Sequence, residues 1–194
     1  IGSTGSGKST LINLVPRFFD TTEGEVLVDG VNIREYTQQA LNNKIGFVPQ
    51  KAVLFRGTVE SNVRYGDNGK PTPSLDDVKR AIRIAQSEDF VEQMEGRYEA
   101  AVAERGANLS GGQKQRVSIA RAVCREPEIY IFDDSFSALD YKTDRQLRSM
   151  LKKETAGVTS LIVAQRIGTI LDADRIVVLD EGCVVGIGTH KELL

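Results

Sequence analysis

Apolar positions in this chain fall into short runs rather than long stripes. Ile45–Val48, Ile129–Asp133, Leu161–Ala164 and Arg175–Leu179 are strand-sized. Between them the spacing changes. Leu75, Val78, Ile82 and Ala85 recur at helical intervals behind Ser74, a good N-cap. Lys8–Phe19 and Ser110–Cys124 read as two more helices, and Thr58–Met94 as mostly helical. After a turn at Glu23–Gly24, Glu25–Val28 and Val31–Ile33 flank Asp29-Gly30 and predict a hairpin. Thr189 and Glu192 form a capping box for a last helix. Short apolar strands alternating with helices predict an α/β fold, with a mainly parallel sheet covered on both faces. A small antiparallel β region and an inserted helical subdomain, about residues 56–125, complete a single domain over 1–194 with no internal repeat.

Composition narrows the function classes. At 40% hydrophobic and 27% charged, the chain is ordinary for a soluble globular protein. A formal net charge of −2 gives no electrostatic reason to expect nucleic acid as a partner. No apolar run approaches membrane-spanning length, and no signal-peptide pattern is present. Cys124 and Cys183 suggest neither a disulfide framework nor a metal cluster, and both read as small apolar residues.

The chemistry begins at residue 2. Gly2-Ser3-Thr4-Gly5-Ser6-Gly7-Lys8-Ser9, followed by Thr10, is a complete phosphate loop. Its glycines let backbone amides wrap phosphate oxygens, and the helix starting near Lys8 adds its positive end. Lys8 can reach the β- and γ-phosphates of ATP, and the Ser9 hydroxyl can ligate Mg2+. Such a loop follows a strand, yet only Ile1 precedes Gly2, so the sequence reads as N-terminally truncated. Farther on, Ile129–Phe132 is an apolar strand ending in Asp133, a carboxylate at the strand end where α/β sheets bind ligands and a second candidate for the metal.

A second phosphate-facing element lies about a hundred residues after the first, at Leu109-Ser110-Gly111-Gly112-Gln113. It resembles the signature of ATP-binding cassette (ABC) ATPases, and a P-loop NTPase-type sheet is the fold the resemblance implies. Further matches run through the chain in order. Gln50, after Phe47-Val48-Pro49, resembles the glutamine that touches magnesium and the attacking water. Glu104-Arg105-Gly106 resembles the segment by which exporters meet their membrane domains. Ser137-Ala138-Leu139-Asp140 resembles the loop that crosses to the partner subunit. Leu54-Phe55-Arg56-Gly57-Thr58-Val59 and Gly188-Thr189-His190-Lys191-Glu192-Leu193 are similar to exporter wording in particular.

Two positions depart from that pattern. The family places glutamate, the presumed general base, after the strand-end aspartate; here it is Asp134, one methylene shorter. A displacement of about 1 Å at a reacting centre can cost roughly a hundredfold in rate. The family also has a histidine after the strand that corresponds to Thr159–Ala164; here it is Gln165. Its amide can donate a hydrogen bond but cannot carry a proton near neutral pH. The sole histidine, His190, sits in the terminal capping box.

With Leu109–Gln113 intact, this combination resembles one subunit of heterodimeric ABC exporters. The resemblance implies ATP and Mg2+ as ligands. Its implied partners are a second nucleotide-binding domain and the transporter's transmembrane domains, with the chain on the cytoplasmic side of a membrane. Its own site, with Asp134, Gln165 and Gln50, would hydrolyse ATP slowly. Ser110, Gly111, Gly112 and Gln113 would serve the ATP held by the partner. Three alternatives stay open: a fully active homodimeric exporter ATPase, a regulatory module that binds ATP without hydrolysis, and a cassette protein of DNA repair or translation. The short spacing and the lack of basic patches count against the last.

Overall fold

The computed structural model describes residues 1–194. Helix α1 (Lys8–Asn13) follows the phosphate loop. It is shorter than the predicted Lys8–Phe19, because the chain breaks into turns from Leu14 and Arg17 takes a left-handed conformation. Strands β1 (Leu27–Val28) and β2 (Val31–Asn32) pair antiparallel around Asp29-Gly30, both at positive φ as a tight primed turn requires. Helix α2 (Gln38–Lys44), capped by Thr37, runs straight into β3 (Ile45–Val48).

The middle of the chain is mostly helical, with one small exception. Strand β4 (Gly57–Thr58) precedes α3 (Val59–Val63), α4 (Leu75–Ile84) and α5 (Glu88–Gln93), and β5 (Ala101–Val102) returns to pair with β4. Ser74 caps α4 as its sequence suggests, in a reciprocal box with Asp77. Helix α6 (Gly111–Cys124) is capped by Ser110. Then come β6 (Ile129–Asp133), α7 (Tyr141–Glu154), β7 (Thr159–Val163), β8 (Ile176–Asp180) and β9 (Cys183–Gly188).

Strands β3, β6 and β7 form a parallel sheet with β6 in the centre. The period of two along β6 divides its side chains between two cores. Tyr130 and Phe132 enter a cluster of 26 buried residues drawn largely from α3, α4, α6 and α7. Ile129 and Ile131 face the opposite side, with Ile12, Val28, Ile33, Leu41 and Val163. Continuous apolarity in β6 is thus the mark of a strand covered on both faces.

Strand β8 meets this architecture differently from the simple alternating pattern. It pairs antiparallel with β9 and touches the phosphate-loop region through one parallel bridge, Gly2 to Leu179. Strand β9 was not legible, since Cys183-Val184-Val185-Gly186-Ile187-Gly188 dilutes its apolar signal with two glycines. Its turn, Glu181-Gly182, repeats the positive φ pair of the first hairpin. Of the Thr189–Glu192 box only one half forms: Thr189 N donates to Glu192 Oε2 at 2.7 Å, while Glu192 N donates to the Thr189 backbone carbonyl, and the segment makes a turn instead of the expected helix. Cys124 is buried, which pushes its thiol up to about 11, whereas Cys183 is exposed.

Candidate active site

The phosphate loop is held against the end of β8. A Cβ on Gly2 would lie 2.2 Å from Leu179 O, so the loop can approach that strand only with glycine there. Gly5 and Gly7 are at φ 84° and 90°. Lys8 folds back over the loop, with Nζ donating to Gly2 O (2.9 Å), Ser3 O (2.6 Å) and the Oγ of buried Ser6 (3.3 Å). Thr4 and Thr10 are exposed on either side.

Strand register decides what stands opposite. Asp133 shares its parity with Ile129 and Ile131, so it emerges on the α1 side of the sheet. There the Ser9 hydroxyl donates to Asp133 Oδ1 at 2.8 Å. A hydroxyl and a carboxylate side by side are hard oxygen donors, the chemistry that Mg2+ prefers. No three His, Cys, Asp or Glu side chains converge. The donor set therefore fits a metal that completes its shell with phosphate and water rather than one held in an all-protein cage.

Asp134 is 7% exposed and sits at φ 44°, a left-handed conformation that a non-glycine residue adopts at some cost. Its amide donates to Val163 O at 3.1 Å, continuing the pairing of Asp133 with Val163. That register brings the two departures from the family pattern together. Gln165 Nε2 donates to Asp134 Oδ2 at 2.9 Å, and Gln50 Nε2, from the end of β3, reaches the same oxygen at 3.4 Å. Gln50, Asp134 and Gln165 thus come from the ends of three adjacent strands onto one carboxylate, at the edge where open α/β sheets bind ligands.

The other predicted residues lie elsewhere. Ser110 is exposed at the head of α6, where its Oγ accepts from Gln113 N (3.2 Å) and its N–H donates to Gln113 Oε1 (2.8 Å). Gln113 is therefore half of a capping box, a role that its sequence spacing from Ser110 could have revealed. Gly111 is exposed, and a Cβ on Gly112 would stand 3.4 Å from Ala138 O, which places this turn beside residues 137–140. Of those four, Leu139 is buried in the chain's own core. Asp140 caps α7 by accepting from Thr143 N at 3.0 Å. Its backbone partners at the helix start hold its carboxyl below the usual range. Ser137 Oγ donates to Asp134 O at 2.8 Å, and Arg166 Nη2 donates to Ser137 O at 3.2 Å. These contacts tie the loop after Asp134 to the residue that follows Gln165. Ser137 and Ala138 are exposed.

The family model for the ABC transporter matches residues 1–137. The chain belongs to the ABC transporter family. Over all 194 residues it is 47% identical to an uncharacterised ABC transporter ATP-binding protein of Mycobacterium tuberculosis. It is 44% identical to a putative multidrug export ATP-binding/permease protein of Staphylococcus aureus. The chain spans about a third of each relative's length, 33% in both. Among solved structures it superposes on a bacterial Atm1-family ABC exporter with ATP bound, at a TM-score of 0.94 and 41% identity, covering 100% of this chain and 34% of that one. An ABC nucleotide-binding fold accounts for the parallel sheet, the small antiparallel pairs and the helical region that bears α6. No helix is long and apolar enough to cross a membrane.

Proposed function

We propose that this chain is the ATP-binding and ATP-hydrolysing domain of an ABC exporter, at the cytoplasmic side of a membrane, with a weakened site of its own. The carrying observation is the meeting of Asp134, Gln165 and Gln50 on one carboxylate oxygen, beside the Ser9–Asp133 pair. Exporter relatives that continue well beyond this chain support a role for transmembrane domains as partners.

Gly2, Ser3, Thr4, Gly5, Ser6, Gly7, Lys8, Ser9 and Thr10 would hold the phosphates. Magnesium would rest on Ser9 and Asp133, with Gln50 in reach, and when bound it would neutralise charge on the β- and γ-phosphates. Asp134 would take the proton of the water that attacks the γ-phosphorus, while the bond to the β–γ bridging oxygen breaks. Two amides converging on Oδ2 leave Oδ1 to accept that proton. Aspartate reaches less far than glutamate, and Gln165 offers a neutral amide in place of an imidazole, so both groups nearest the water are weakened.

The second half of the proposal concerns a partner domain. Ser110, Gly111, Gly112 and Gln113 sit at the N-terminal, positive end of a 14-residue helix. They would close over ATP held by another domain, with Ser137, Ala138, Leu139 and Asp140 alongside. Ser110 and Gly111 are exposed, which supports a head-to-tail arrangement with a second nucleotide-binding domain.

ATP turnover by the domain, alone and with its partner domain, tests this reading beside the double change Asp134→Glu, Gln165→His. The expected result is near silence alone and a gain of about tenfold to a hundredfold from the double change. The 2.9 Å bond between Gln165 and Asp134 favours one competing reading, in which the shorter pair already holds a working geometry. Ordinary turnover by the unmodified domain alone would establish that reading, a fully active homodimeric ATPase, instead.

A further inference from the structure

Gln50 lies on a loop that α6 grips from both sides. Before it, buried Gln115 donates Nε2 to Pro49 O at 3.0 Å. After it, Arg121 donates Nη1 to Val53 O at 2.9 Å. The same guanidinium donates Nε to Asn62 O (2.8 Å) and Nη2 to Asn62 Oδ1 (3.0 Å). Asn62, itself buried, closes the clasp. Its Nδ2 donates to Phe55 O (2.8 Å) and Thr58 O (2.9 Å), and its Oδ1 accepts from Phe55 N (2.8 Å). The backbone from Pro49 to Thr58 is therefore fastened at four residues, directly or through Asn62, to one helix.

Arg121 is an unusual choice for this duty. Its guanidinium lies 5.4 Å from the Phe55 ring centroid and 5.5 Å from that of Tyr65, and no carboxylate stands within ion-pair distance. Burial pushes its pKa down to about 10. Burying a cation with no counter-ion is costly, and an aliphatic side chain would fill the space more cheaply. What only arginine offers here is a rigid fork of donors that reaches separated carbonyls at once.

We propose that Gln115 and Arg121 are positioning residues for ATP hydrolysis. They staple the backbone on either side of Gln50 to the helix whose cap is Ser110. The group assigned to this chain's nucleotide and the group assigned to the partner's nucleotide then shift as one body. The proposal rests on the roles given to Gln50 and Ser110 above. Helix α6 runs from Gly111 to Cys124 as one element, so a shift at the Gln50 loop reaches Ser110 along a stiff rod. Coupling of that kind makes nucleotide binding at one site felt at the other.

The test uses the full-length transporter carrying this chain, with its partner, and compares Gln115→Met, Arg121→Met and Arg121→Lys. Each methionine variant is expected to lower kcat about tenfold or more, while ATP affinity stays within about twofold, because neither residue touches the phosphate loop. Arg121→Lys carries a separate signature. Burial disfavours the charged form at this position, so a lysine there, ordinarily at about 10.4, loses its proton at lower pH than an exposed one. Its turnover relative to the unmodified protein should therefore fall as pH rises into the alkaline range, as the ammonium loses its charge. A purely structural role predicts joint loss of affinity, folding and kcat with no such pH break, and that result would overturn the proposal. So would full kcat in well-folded Gln115→Met and Arg121→Met. No turnover by the unmodified protein, with or without its partner, would bring down the ATPase reading itself and this inference with it.

Discussion

The cluster around Asp134 and the surface at Ser110 are two polar regions of one domain, assembled in different ways. The first draws Ser9, Gln50, Asp133, Asp134 and Gln165 from four separate stretches of chain onto the ends of three strands and the head of α1. Its central carboxylates are buried, and its geometry depends on the register of β3, β6 and β7. The second is local. Ser110, Gly111, Gly112 and Gln113 are consecutive, the cap is made within three residues, and the group faces outward. A surface of that kind needs only a well-formed helix end. A site of the first kind needs the whole sheet. Damage to packing should therefore reach the two regions unequally.

Phe132→Ala is the harshest test of that difference. Its ring is 2% exposed, lies between Tyr130 (5.8 Å) and Phe136 (5.3 Å), and directly precedes Asp133. The cavity should cost about 3–5 kcal/mol, a large share of a typical domain's stability. Denaturant unfolding checks the loss. Nucleotide affinity of the fraction still folded should also drop, because β6 carries the strand-end carboxylates. Unchanged affinity would mean that the cluster depends less on the sheet than its geometry implies.

Ser110 permits a finer separation. Ser110→Ala removes the cap acceptor and should cost about 1 kcal/mol, read as a lower melting temperature. Ser110→Asn restores capping without the hydroxyl. If the hydroxyl serves the partner's nucleotide, both variants lower turnover in the assembled pair while ATP binding by this chain is unchanged. Recovery of turnover in the asparagine variant would show that the residue acts through the cap alone.

Asp140 gives the smallest effect and sharpens the local side of the comparison. Its carboxyl is held below the ordinary value by Thr143 and neighbouring backbone at the start of α7. A depressed folded pKa contributes stability that is present above the unfolded value, about 3.9, and is lost as pH falls through the folded one. Melting temperatures of Asp140→Asn and the unmodified domain should therefore differ by little near pH 6 and converge further below pH 4. Asparagine caps nearly as well as aspartate, so only the charge is removed.

Much of the fold could be read along the chain because the signals were local. Strands β3 and β6 have their predicted bounds, Ser74 caps as its spacing suggests, and Asp29-Gly30 makes its turn. The misses have local causes as well. Helix α1 stops early where Arg17 turns left-handed, and β9 is masked by its glycines. Hydrophobic period and turn chemistry report on a few neighbouring residues, so they determine which elements form and roughly where. The phosphate loop and the strand-end Asp133 were legible in single stretches too, whereas Leu109–Gln113 was picked out by its resemblance to the ABC signature.

Only the tertiary structure decided which of these groups meet. Gln165 and Asp134 share a hydrogen bond because β6 and β7 pair Asp133 with Val163, a register that no local pattern encodes. Arg121 and Gln115 look like ordinary helix positions until the packing of α6 against the Gln50 loop turns them into clasps. Contacts between distant residues are selected by the burial of both faces of the sheet at once. That energy belongs to the assembled core rather than to any segment of the chain.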